Sequence, residues 1–133
     1  MMEQQLADLA VLYQKLRNYH WNITGKAFLA LHEFLEKEYD TVAEEVDEVA
    51  ELIRMKGEAP LSTYKDFLAN ATIKEGDMSL SPDAMIQDLI KDYEKLISDF
   101  KTQFNGDPKT EDLYTGIISH FEKSVWMMKA VQA

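Results

Sequence analysis

Two histidines and a set of carboxylates are spaced along this chain as metal ligands would be. His20 lies near the end of one helical segment, and His32, Glu36, Asp47 and Glu51 lie along the next. With His32 placed at zero on a wheel of about 100° per residue, Glu36 falls near ~40°, Asp47 near ~60° and Glu51 near ~100°. All of them lie on one flank of an apolar stripe centred near ~300°. His32/Glu36 and Asp47/Glu51 are i, i+4 pairs, so each pair can converge on one ion. Asp40, near ~80° on the same wheel, is a candidate outer ligand. With no cysteine in the chain, imidazole and carboxylate suit iron, manganese or zinc.

The two pairs cannot meet within one helix. Fifteen residues at ~1.5 Å rise put His32 and Asp47 about 22 Å apart. A second copy of the helix, antiparallel across a two-fold axis, sets His32 and Glu36 of one chain against Asp47 and Glu51 of the other and forms two such sites at once. The expectation is an inter-subunit metal site in a homodimer. The chain has neither the Glu-x-x-His of in-bundle di-iron proteins nor the His-Glu-x-x-His of zinc proteases, so a metal centre inside a single bundle is not expected. Plainer readings compete. His20 fills a slot in an apolar series and can be a satisfied core histidine. Acids on a helix are commonly a solvated face, and Glu33, Lys37, Glu44, Glu45 and Glu48 are assigned to one.

The elements that must hold these residues are helices. Leu6, Leu9, Tyr13, Leu16, His20 and Ile23 step by three and four from about Glu3 to Ile23. Gly25 is suited to end that segment. A second helix is expected from about Phe28 to Lys56, with Phe28, Leu31, Leu35, Tyr39, Val42, Val46, Val49 and Ile53 as its stripe. A short helix from Tyr64 to Ala69, capped by Ser62 or Thr63, interrupts a long connection that reaches Ser81. Ser81-Pro82-Asp83 opens a third long helix, whose apolar residues run from Ile86 to Phe104. After the turn Asn105-Gly106-Asp107-Pro108, a fourth is expected to start near Lys109 or Thr110 and to bury Leu113, Ile117, Ile118, Phe121, Val125 and Met128. Trp126, His120 and the Met127-Met128 pair read as structural. The fold class is all-α: a ferritin-like four-helix bundle, with a short extra helix in the long connection between the second and third helices. Residues 1–133 are expected to form a single domain.

Composition narrows the partners. The 133 residues are 46% hydrophobic and 29% charged, which is globular and not disordered. A net charge of −10 argues against simple nucleic-acid binding and favours attraction of cations. The opening Met1-Met2-Glu3-Gln4-Gln5 has no secretory pattern, and no apolar run is long enough for a bilayer. A cytoplasmic protein without membrane partners is expected.

His20-Trp21-Asn22-Ile23-Thr24-Gly25, Leu31-His32-Glu33, and Asp47-Glu48-Val49-Ala50-Glu51 resemble the signature of the Dps family of mini-ferritins. The resemblance continues through Pro60-Leu61-Ser62-Thr63 to Glu122-Lys123-Ser124-Val125-Trp126-Met127 and covers nearly the whole chain. It implies a dodecameric hollow shell with ferroxidase sites at two-fold interfaces. There Fe(II) is oxidised to Fe(III), commonly with hydrogen peroxide, and stored as mineral, which suppresses oxidative damage. Carried over by position, the catalytic metal ligands are His20, His32 and Glu36 of one subunit with Asp47 and Glu51 of its mate. Asp112 matches a position lining a three-fold pore, although it also suits a helix N-terminus. Trp21, beside His20, is a candidate electron relay or an interface aromatic. Glu36 stands where the family commonly has Asp, and Leu52 where it usually has Arg. Two other classes remain: a DNA-binding nucleoid protein of the same family, and a helical interaction module without metal chemistry. Neither end of the sequence is a basic arm, so direct DNA binding is not expected.

Overall fold

The computed structural model describes residues 2–133 as five helices: α1 (Met2–Asn22), α2 (Phe28–Met55), α3 (Tyr64–Asn70), α4 (Pro82–Thr102) and α5 (Pro108–Val131). No strand occurs among the described residues. No helix among them is long and apolar enough to cross a membrane. The chain divides into two compact units, Met1–Met85 and Ile86–Ala133.

In the first unit, α1 and α2 form an antiparallel pair, in which Tyr13 meets Tyr39 and His20 meets His32. Leu6, Leu9, Leu12, Leu16 and Tyr19 of α1 are buried, as are Leu31, Leu35, Val42, Val49 and Ile53 of α2. Between them the chain turns through Gly25 at φ +105°, a conformation that a side chain would strain. Thr63 caps α3, its hydroxyl accepting from the Asp66 N–H at 3.1 Å. The connection after α3 is pinned to α1. The buried Asp8 carboxylate accepts from Thr72 N at 2.6 Å, Thr72 Oγ1 at 2.8 Å and Ile73 N at 3.2 Å. Farther along, the Tyr19 hydroxyl accepts from Asp77 N at 3.1 Å. Gly76 lies so close to α1 that a Cβ there would sit 3.0 Å from Asn18 and 3.2 Å from Tyr19.

The second unit holds most of α4 and all of α5. Its core is aromatic: Phe100 meets Tyr114 at 4.8 Å and Tyr93 meets Phe121 at 4.7 Å between ring centroids. Ion pairs Lys101–Glu122 and Lys129–Glu94 bridge the two helices at the surface, where such pairs add little. His120 packs edge-on against Phe121 and Tyr93, and Met128 is buried.

Four details depart from the sequence reading. The last long helix begins at Pro108, because Asp107 caps it by accepting from the Thr110 N–H at 3.1 Å. Phe104 lies beyond the end of α4 and is exposed. Trp126, read as structural, is 66% exposed. Glu45, assigned to the solvated face, is only 6% exposed. It falls near ~220° on the wheel that puts the apolar stripe at ~300°, on the flank opposite His32. Glu38, near ~240°, is buried on that same flank.

Candidate metal centre

The site begins with a reciprocal clasp between α1 and α2. His20 Nδ1 lies 2.7 Å from the His32 carbonyl oxygen, and His32 Nδ1 lies 2.8 Å from the His20 carbonyl oxygen. A carbonyl only accepts, so each Nδ1 must carry the proton. The His20 carbonyl belongs to the last turn of α1, where helix geometry leaves it without an intrahelical partner, and the His32 ring fills that vacancy. The two imidazoles stack with centroids 3.7 Å apart and planes 10° from parallel. Fixing both protons on Nδ1 leaves the Nε2 lone pair of each neutral ring available as a ligand.

Glu36, one turn beyond His32, completes a cluster. One ligand atom from each of His20, His32 and Glu36 lies within 4.8 Å of the others. Two donors each ~2.1 Å from a common ion can be up to about 4.2 Å apart, so the spread closes with a shift of about half an ångström. His20 Nε2 already faces Glu36 Oε1 at 3.9 Å. That distance is too long for a hydrogen bond. With a neutral ring it sets two lone-pair donors against each other, a geometry that a cation between them relieves. His20 is 5% exposed while the Glu36 side chain is 53% exposed, so the cluster is anchored at one end and open at the other.

The remaining candidates stand elsewhere. Asp47 and Glu51 are exposed on α2, and Asp47 lies about 16 Å along the axis from Glu36. Within one chain they do not join the cluster. Asp40 is likewise exposed. Asp112 is exposed in the first turn of α5, in the second unit. Leu52 is buried. Trp21 is 56% exposed, and its ring holds the Arg17 guanidinium at 4.9 Å.

Three side chains around the cluster were not singled out in the sequence for chemistry. Phe28 stacks on the outer face of His32 at 4.9 Å. Tyr39 presents an edge-on contact to His20 at 5.3 Å, and Arg17 lies over the Tyr13 and Tyr39 rings at 5.3 and 6.0 Å. Partial burial, with the Glu36 and Asp40 carboxylates nearby, pushes the Tyr39 phenol above its ordinary value. The wheel carries a signal for Tyr39, which falls near ~340°, next to His32. A tyrosine inside an apolar stripe reads as core until its neighbour across the helix pair is known.

The ferritin-like domain family matches residues 1–133. The chain is 36% identical over 134 residues to DNA protection during starvation protein 2 of Bacillus anthracis, covering 97% of this chain and 92% of that one. Its structure superimposes on that of a Dps protein from Bacillus brevis with a TM-score of 0.95, at 32% identity over 99% of this chain and 92% of the other. A Vibrio cholerae Dps protein, described as a member of a broad superfamily of ferritin-like diiron-carboxylate proteins, matches with a TM-score of 0.92 at 31% identity, covering 99% and 86% of the two chains.

Proposed function

The chain belongs to the Dps family of ferritin-like proteins, and we propose on that premise that it is a ferroxidase that oxidises Fe(II) and stores the ferric product. Copies of the chain assemble into a hollow shell, a dodecamer in the reading carried over from the family. His20, His32 and Glu36 of one subunit and Asp47 and Glu51 of its mate hold the iron. Neutral imidazoles and ionised carboxylates bind it while leaving room for an oxidant. Hydrogen peroxide is the oxidant: two Fe(II) each give one electron, and one peroxide takes both. A ring of Asp112 side chains at a three-fold pore draws cations inward, and the protein works in the cytoplasm. With a net charge of −10, protection comes from removing Fe(II) and peroxide and not from coating DNA.

The observation that carries this reading is the clasp. Both Nδ1 protons are committed to carbonyls, so both Nε2 atoms are left for one ion beside Glu36. The carboxylates needed to complete the sphere lie too far along α2 to come from the same chain.

Subunit mixing tests the sharing. His32→Ala and Asp47→Ala proteins are each expected to lose rapid peroxide-driven iron oxidation. Unfolded together and reassembled, they form mixed dimers in which one site lacks both ligands and the other has all of them. About a quarter of the sites should then regain activity. No recovery on mixing, with intact assembly, rules out the shared site. Full activity in either single variant rules out the ligand assignment.

A further inference from the structure

We propose that Tyr39 supplies an electron to the iron–peroxide reaction when a site holds a single Fe(II), an inference that rests on the ferroxidase reading above. The grounds are positional. Phe28, His32, His20, Tyr39 and Tyr13 form one continuous column of rings, with neighbouring centroids 4.9, 3.7, 5.3 and 6.0 Å apart. The two ligand imidazoles sit inside it. Phe28, on one side of the pair, is hard to oxidise. Tyr39, on the other, is an oxidisable ring in direct contact with a ligand ring. Trp21 adjoins His20 in sequence, yet its ring faces Arg17 and solvent. The fold thus gives Tyr39 the place that chain order suggests for Trp21.

The chemistry closes. One Fe(II), one hydrogen peroxide, one proton and the Tyr39 phenol give one Fe(III), two waters and a Tyr39 phenoxyl radical. The O–O bond breaks, and iron and tyrosine each lose one electron, the phenol also losing its proton. A second Fe(II) then returns an electron, and with one proton the phenol is restored. Both steps together consume two Fe(II) and one peroxide, and no hydroxyl radical escapes. Arg17, lying over the Tyr39 and Tyr13 rings, disfavours a cationic radical there and so favours loss of the proton with the electron. Glu36 and Asp40 already keep the phenol protonated until that moment.

The test uses the assembled protein loaded with one Fe(II) per site, mixed with hydrogen peroxide and freeze-quenched for electron paramagnetic resonance. Wild type is expected to show a phenoxyl signal that changes on incorporation of ring-deuterated tyrosine. Tyr39→Phe keeps the ring packing and should abolish that signal, increase the yield of spin-trapped hydroxyl radical and leave Co(II) binding unchanged. Trp21→Phe should retain the signal. A phenoxyl signal that survives Tyr39→Phe, or is absent from a wild type that oxidises iron, overturns the role of Tyr39 and leaves the ferroxidase reading standing. A wild type that oxidises no iron overturns both.

Discussion

The two units of this chain bury different things. The first buries Gln5, Asp8, Lys15, His20, Glu38 and Glu45 among its apolar residues; the second buries only Thr110 and Ser124 among its polar side chains. Burying an ionisable group is costly unless it is hydrogen-bonded or paired. The first unit therefore carries expensive features with specific partners, such as the Asp8 carboxylate with three donors and the His20 ring with its carbonyl. The second is built as an aromatic core and takes its stability from packing. Chemistry and scaffold are thus separable, and substitutions in the two units should have separable effects.

The largest expected effect falls on chemistry alone. Replacing both His32 and Asp47 should slow peroxide-driven iron oxidation by more than about 100-fold, beyond what the loss of an outer partner costs a metal site. The helical content and unfolding midpoint should hardly change, since Asp47 is exposed and His32 only half-buried. Stopped-flow absorbance and circular dichroism together check this. A large loss of stability would blur the division.

Phe121→Ala in the second unit is the converse. The ring is fully buried against Tyr93 and Phe100, and its removal should cost about 4 kcal/mol in equilibrium unfolding. Co(II) binding at the His20–His32–Glu36 cluster should survive wherever the variant is folded.

Asp8→Ala tests whether a polar contact in the first unit can also be purely structural. It leaves the Thr72 and Ile73 amides without their acceptor and should destabilise by about 3 kcal/mol. Hydrogen exchange should quicken first in residues 71–79. Unchanged exchange there would show that the connection is held by something else.

The smallest effect concerns alkaline stability. Burial pushes the Tyr114 hydroxyl up to about 12. The unfolded chain loses this proton near pH ~10, so between those values the folded state binds more protons than the unfolded state. The contribution is full below about pH 10 and is lost as pH rises toward 12. Tyr114→Phe should flatten that part of the stability–pH curve.

Much of this was legible in order and spacing. Period and caps place the five helices to within a residue or two, since Thr63, Ser81 and Asp107 each accept from an amide of the first turn. The i, i+4 spacing of His32/Glu36 and Asp47/Glu51 puts four ligand types on one flank of α2, and rise per residue separates the two pairs. Burial at the edges of a stripe was less legible. Glu45 and Glu38 differ from the exposed Glu44 and Glu48 by their angular position, and whether an edge is covered depends on how the helix is turned against its neighbours.

The sequence by itself determined which residues share a helix face, because that depends only on backbone period and on capping groups within a few positions. Tertiary structure alone decided that His20 and His32 exchange Nδ1–carbonyl bonds, that Glu36 faces the freed Nε2 of His20, and that Tyr39, not Trp21, touches the ligand pair. Those facts rest on the register of α1 against α2. Register is a sum of many small packing contacts across two helices, and no local spacing encodes it.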